Sequence, residues 1–212
     1  HPHPRTITLC DLYSKSDVLE KLKHEIVTDL GFTGTVHIAH SQLQAPAELY
    51  EATLIIGATN VPEVLDIMHV KPGALIVDES TPRCFNREMA IQRFEKRADI
   101  LFSKGDGLKS SHPIHQISYR PQALQEIMPH YSGQDEFTIT RCVLSSLLSA
   151  QYKQLKPTVG PVQVDASLQH YTMLQQLGFE SADLHCESYT LDPATIRRFR
   201  QHFSNEMKGD KQ

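Results

Sequence analysis

Apolar residues in the first half of the chain alternate between strand-like runs and helix-like spacing. Residues 6–12 are rich in β-forming side chains and predict a strand that ends at an acidic turn. In the stretch that follows, apolar residues recur on one helical face, with Ser16 as the N-cap and Gly31 as the stop. Residues 35–39 predict the next strand, and the continuous apolar run at 52–58 is typical of a parallel strand covered on both faces.

The same alternation continues beyond the third strand. Residues 61–63 predict the start of a short helix, and residues 74–77 predict another buried strand. A helix around Met89 and Phe94 comes next, and residues 99–102 predict a further strand. Strands and helices in regular alternation indicate the α/β fold class, with a right-handed parallel sheet.

The second half of the chain has a different texture. Residues 108–136 carry several prolines and only short apolar runs, which predicts irregular structure with one edge strand at 117–119. Helical spacing then recurs in three segments, over residues 137–152, 164–177 and 193–203. Asp192 is the predicted N-cap of the last helix. We therefore expect a first domain over residues 1–136, with C-terminal helices over residues 137–212 packed on that same domain.

Composition argues against several classes of function. The 21 Lys and Arg against 25 Asp and Glu give a net charge of -4, without the basic excess typical of nucleic-acid binding. The four cysteines are far apart and form no CxxC pair, so we expect no metal site and a reduced, cytoplasmic protein. No apolar run approaches the roughly 20 residues that cross a bilayer, so no membrane partner is expected.

Four segments of the chain carry a resemblance to a known family. They read ATLIIGATNVPEVLDIMHVKPGALIVDESTPRCF, ILFSKGDG, FTITRCVLSSLLSAQY and VDASLQHYTMLQQLGFESADL. Together they resemble the later part of the NAD(P)-binding domain of shikimate and glutamyl-tRNA reductase-type dehydrogenases, most of all the acyl-carrier-protein reductase branch. The resemblance implies a Rossmann-like sheet and spans most of residues 6–185.

The resemblance also implies where a ligand would lie. Three strand ends would line the cofactor or ligand crevice, and they carry Ala58, Thr59 and Asn60, then Ser80, then Lys104, Gly105 and Asp106. Asp11, at the end of the first strand, corresponds to the carboxylate that accepts hydrogen bonds from an adenosine ribose. These eight residues are the predicted site, and none of them is assigned a catalytic role.

The glycine loop that grips a cofactor diphosphate has no counterpart in this sequence. That carboxylate normally follows a G-x-G-x-x-G turn by about 20 residues, whereas only ten residues precede Asp11 here. We therefore expect a truncated sheet of about five strands, in which the absent first strand of the order 3-2-1-4-5-6 leaves a gap. Either strands 2 and 4 pair directly to give 3-2-4-5-6, which we favour, or another chain inserts a strand.

Several of these residues have an ordinary structural interpretation beside the functional one. Asp11 also fits a strand-end cap, Thr59 and Asn60 fit the start of a helix, and Gly105 lies in what could be a simple turn. Cys84, beside Arg83, fits a buried structural thiol better than a nucleophile.

Three functions remain open from the sequence. The first is a non-catalytic, dehydrogenase-like accessory protein that needs no cofactor and holds a peptide, a carrier-bound biosynthetic intermediate or a protein partner. The second is the NAD(P)-binding portion of an acyl or aldehyde reductase, completed by a missing N-terminal segment or a separate subunit. The third is a structural homodimer in which exposed sheet edges pair between chains.

Overall fold

The protein is described by a computed structural model over residues 4–41, 43–115, 136–157 and 162–209. Its backbone contacts divide it into two compact units. The first consists of His1–Lys104 together with Cys186–Gln212, and the second is Gly105–His185. The fold is mixed α/β with parallel strands, which confirms the fold class predicted from the alternating pattern.

The described elements are as follows in chain order. The strands are β1 (Thr6–Asp11), β2 (Thr35–His40), β3 (Leu54–Gly57), β4 (Ala74–Asp78), β5 (Ile100–Lys104), β6 (Gly107–Ser110), β7 (Thr138–Thr140), β8 (Phe179–Ser181), β9 (His185–Cys186) and β10 (Tyr189–Thr190). The helices are α1 (Ser16–His24), α2 (Arg87–Arg97), α3 (Arg141–Gln151), α4 (Val164–Gln176) and α5 (Pro193–Gly209). Short 3-10 turns cover Tyr13–Lys15 and Ala47–Glu51, and a π-helical turn, Glu25–Asp29, extends α1.

The first unit contains two separate parallel sheets. β1 pairs with β2, and β4 lies between β3 and β5. The predicted direct pairing between the strands at residues 6–12 and 52–58 is not formed among the described strands, so the order 3-2-4-5-6 is not confirmed. A βαβ unit is formed by β1, α1 and β2, and α1 packs on both strands. The β1–β2 pair therefore forms without hydrogen bonds to β3.

β4 forms the centre of the three-stranded sheet. Its Ile76 is fully buried between Ile55 of β3 and Phe102 of β5, which are its register partners. Phe102 contacts Phe85 and Phe94 edge-on, with ring centroids 5.9 and 6.1 Å apart. Burial of large apolar and aromatic side chains supplies most of the favourable free energy of folding, so this cluster is the core of the unit.

Three sequence predictions about helices need correction. The helix predicted at residues 61–63 is absent, because buried Leu65 and Ile67 alternate with exposed Asp66 and Leu65 bridges Phe85 instead. The helix predicted over 137–152 begins at Arg141, since the residues before it form β7. Ser16 is the first residue of α1, and Lys15 occupies the N-cap position.

Other element predictions are confirmed or lie outside the described residues. The helix predicted over 164–177 is α4, and the one predicted over 193–203 is the first part of α5. Asp192 caps α5 as expected, because its carboxylate accepts a hydrogen bond from the Thr195 N–H at 2.8 Å. The strand predicted at 117–119 lies outside the described residues.

The second unit is built on an antiparallel sheet. β6 lies between β7 and β8, and Leu108 of β6 pairs with Ile139 of β7. A small core of Ile139, Leu144, Leu148 and Leu155 packs beneath it. Within the described ranges of both units, no helix is long and apolar enough to cross a membrane.

An ion pair between the buried Arg93 and the partly buried Asp99 fixes α2 to the start of β5. The Arg93 side chain, 2% exposed, donates to both carboxylate oxygens of Asp99 at 2.9 and 3.0 Å. A third hydrogen bond runs from Arg93 Nη1 to the carbonyl of Ile67. The guanidinium thus joins three segments of the chain through planar, charge-assisted hydrogen bonds.

We expect Arg93→Ala to lower the free energy of unfolding by about 1–3 kcal/mol, because it leaves the partly buried Asp99 carboxylate and the buried Ile67 carbonyl without their donor. Urea unfolding followed by circular dichroism measures the loss. Arg97→Ala, at an exposed position of the same helix, is the matched control and should change stability by less than about 0.5 kcal/mol. Equal losses in the two variants would contradict a structural role for the pair.

Candidate functional site

The carboxyl ends of β3 and β4 meet around one buried carboxylate, that of Asp78. Asp78 is the last residue of β4 and is 2% exposed. One of its oxygens, Oδ1, accepts a hydrogen bond from the Ser80 N–H at 3.0 Å. The other, Oδ2, accepts one from the Cys84 N–H at 3.2 Å. Two backbone donors therefore compensate a carboxylate that would otherwise be costly to bury.

Ser80 connects this carboxylate to the turn after β3. Its hydroxyl oxygen accepts a hydrogen bond from the Thr59 N–H at 2.9 Å, and the Thr59 hydroxyl in turn accepts one from the Val61 N–H at 3.0 Å. The Glu79 N–H donates to the carbonyl of Gly57 at 2.8 Å. The structure thus brings together two residues of the predicted site, Thr59 and Ser80.

Gly57 is a residue of this cluster that the sequence prediction missed. A Cβ atom at this position would lie 2.6 Å from the Cys84 sulfur and 2.9 Å from Asp78 Oδ1. Both separations are shorter than real Cβ contacts, so only glycine leaves room for the thiol and the carboxylate. The position of Gly57 at the end of an apolar strand was the available signal, but its neighbours come from a distant segment.

Cys84 is a buried thiol with low reactivity. It is 2% exposed, and burial together with the nearby Asp78 carboxylate raises the pKa of Cys84 from 9.0 to about 12. Because the thiolate is the nucleophilic form, this sulfur stays protonated and unreactive near neutral pH. The structural interpretation of Cys84 is therefore the one that the geometry supports.

Two arginines beside this cluster hold a glutamate of the C-terminal segment. Arg83 donates to Glu187 at 2.6 Å, and the Nε atom of Arg87 lies 3.4 Å from the other carboxylate oxygen of Glu187. Glu187 has a positive φ of 56°, in the turn between β9 and β10. Burial raises the pKa of the neighbouring Cys186, and the positive charges of Arg83 and Arg87 oppose that rise.

The remaining residues of the predicted site do not join the Asp78 cluster. Asp11 is exposed, and its carboxylate accepts a hydrogen bond from the Leu12 N–H at 2.7 Å. Ala58 and Asn60 are exposed at the turn after β3. Lys104 ends β5 in the first unit.

Gly105 and Asp106 belong to the second unit, so the predicted Lys-Gly-Asp loop crosses the boundary between the two units. The Asp106 carbonyl accepts a hydrogen bond from the Arg141 N–H at 2.9 Å. Its carboxylate Oδ1 lies 3.8 Å from Nε2 of His185. Asp106 therefore has interactions of its own within the second unit.

The polar groups of Asp78 and Ser80, at and just after the tip of β4, already have partners within the fold. Asp78 and Ser80 are buried and hydrogen-bonded to the backbone, and the space beside Gly57 is filled by Cys84. Among the described residues, no group of three or more His, Cys, Asp or Glu side chains is placed to hold a metal ion. The surface that this arrangement offers is the exposed turn at Ala58 and Asn60 and the flank of β3.

No protein-family model, curated protein or solved structure matches this chain. The likeness to reductase cofactor domains therefore remains an expectation from the sequence.

We expect the free energy of unfolding to fall as the pH rises from about 9 to about 12. In this window the unfolded Cys84 thiol ionises while the folded one keeps its proton, so the unfolded state binds fewer protons. Chemical unfolding at a series of pH values measures the slope. Cys84→Ala should flatten it, and Cys142→Ala, which removes an exposed thiol, should not. An unchanged slope in Cys84→Ala would contradict the protected thiol.

We expect Gly57→Ala to destabilise the protein by about 1–3 kcal/mol, because the added methyl group overpacks against Cys84 and Asp78. The cost should be smaller in a Cys84→Ala background, where the nearest clashing atom is gone, and unchanged in a Cys142→Ala background. Thermal or urea unfolding of the double-mutant cycle measures this coupling. Equal costs in all backgrounds would show that Gly57 and Cys84 do not contact each other.

Proposed function

We propose that this protein is a non-catalytic, dehydrogenase-like binding or accessory protein that holds a peptide, a carrier-bound intermediate or a protein partner. The observation that carries the proposal is that the polar groups at the strand tips are hydrogen-bonded within the fold. The side chains at these tips accept hydrogen bonds from backbone N–H groups of the same fold, as seen for Asp78, Ser80 and Thr59. Cys84, the nearest thiol, is held protonated in the same cluster.

The proposal includes an incomplete Rossmann-like sheet. The pairings β2–β1 and β3–β4–β5 are all parallel, as the two outer parts of the order 3-2-1-4-5-6 would be, and this supports the proposal. A strand between β1 and β3 would complete the order. Such a scaffold keeps the exposed strand ends and edges where α/β proteins bind ligands, while its buried polar groups serve stability.

A second candidate is the NAD(P)-binding portion of an acyl or aldehyde reductase that another segment or subunit completes. The observation that favours it is the position of Asp11, whose exposed carboxylate ends β1. A carboxylate at this place is suited to the hydroxyls of an adenosine ribose. The two candidates differ in whether the chain binds a nicotinamide dinucleotide.

We expect isothermal titration with NADH and NADPH to give no binding tighter than about 100 μM, because the strand-tip groups that would meet a ribose are already paired. A tighter dissociation constant that weakens in Asp11→Ala would overturn the proposal in favour of the reductase. Asp17→Ala, at an exposed carboxylate on α1, is the matched control for the loss of one negative charge.

A further inference from the structure

One edge of β3 is not paired with any described strand. The pairing of β3 with β4 at its other edge shows which backbone groups point to the unpaired edge. The carbonyls of Thr53 and Gly57 accept hydrogen bonds from the N–H groups of β4 and the residue after it, at 2.9 and 2.8 Å. Successive residues of a parallel strand direct their backbone groups to opposite edges. The N–H and C=O groups of Leu54 and Ile56 therefore point to the other edge, where none of the described strands pairs with β3.

The side chains of the same two residues form an uncovered apolar strip. Leu54 is 51% exposed and Ile56 is 67% exposed. Leu54 pairs in register with Leu75 of β4, which pairs with Leu101 of β5, and Leu101 is only 5% exposed. This face of the sheet is thus covered at β5 and open at β3. Strands of parallel sheets are normally buried on both faces, whereas no described element covers this strip.

Charge at the rim of the strip indicates what fits there. No charged residue occurs between Glu51 and Glu63, so the edge itself is uncharged. Two exposed carboxylates, Glu48 and Glu51, come just before the strand begins. A parallel strand beside β3 would place its own N-terminal end next to Glu51. Complementary charge at that end would set the direction of binding rather than add much affinity.

We propose that the free edge of β3 binds an extended apolar peptide segment, preceded by basic residues, as an added parallel strand. The inference rests on the proposed binding function and identifies the chemistry of its peptide partner. Main-chain hydrogen bonds to Leu54 and Ile56 would supply affinity, and their side chains would select alternate apolar residues of the peptide. A second copy that paired its own β3 with this edge across a twofold axis would lie antiparallel and, because no charged residue occurs between Glu51 and Glu63, would bring no basic group to Glu51.

Fluorescence anisotropy with a labelled synthetic peptide tests the proposal. The probe carries two lysines followed by alternating valine and threonine, and a reversed probe carries the same lysines after the alternating segment. We expect the first probe to bind the full chain more tightly than the reversed one. Ile56→Lys should weaken binding about tenfold or more, because it removes an apolar contact and adds a like charge. Met89→Lys, at an exposed apolar position on α2, should bind as the unchanged protein does.

Amide hydrogen exchange gives a readout that nonspecific apolar binding would not produce. On addition of the first probe, the amides of Leu54 and Ile56 should gain protection. The amides of Ile55 and Gly57 point towards β4 with or without the probe, so their protection should not change. Circular dichroism of Ile56→Lys, and of the milder Ile56→Thr, confirms that each variant is folded. Binding without this alternating protection, or binding that Ile56→Lys leaves intact, would overturn the inference.

The outcomes separate this inference from the proposed function. If the first probe binds at a place other than β3, the inference about the β3 edge is overturned, whereas the proposed peptide-binding function stands. Failure of both probes to bind overturns the inference, and tight NADH binding in the separate titration overturns the function. Dimerisation in light scattering that Ile56→Lys abolishes would identify a second copy as the occupant and would also overturn the inference.

Discussion

The buried carboxylate of Asp78 is the interaction on which the end of the central sheet depends. A carboxylate in a dry interior is tolerated only when strong donors surround it, and here the donors are backbone N–H groups of the turn that follows. That requirement fixes the path of residues 79–84 and places Cys84 against Gly57. The turn after β3 then completes the arrangement through Ser80 and Thr59. A local need for hydrogen bonds thus determines which groups remain available at the surface.

Local sequence patterns predicted the elements of the first unit well. Continuous apolar runs identified β3 and β4, and helical spacing identified α2 and the start of α5; in the second unit it identified α4. The failures have a common cause, which is pairing with a distant segment. Leu65 forms a bridge with Phe85, and Thr138–Thr140 pairs with β6, so long-range hydrogen bonds override a local pattern that favours a helix.

The site was predicted in part for the same reason. Thr59 and Ser80 both follow parallel strands that are neighbours in the sheet, so their strand-end positions predict proximity, and they are hydrogen-bonded. The contact of Gly57 with Cys84 depends on the path of the intervening turn, which no spacing rule encodes. Nor does the sequence show that the chain passes from one compact unit to another between Lys104 and Gly105.

The first unit is assembled from two stretches of sequence separated by the whole second unit. Its C-terminal stretch contributes Tyr189, whose ring stacks against Phe102 at 6.3 Å, and Leu191, which is 1% exposed. During synthesis on the ribosome, these core residues emerge after the other residues of the first unit and after the whole second unit. Residues 105–185 are complete earlier and can collapse while the first unit still lacks part of its interior. The second unit can therefore complete its fold before the first, although the first begins earlier along the chain.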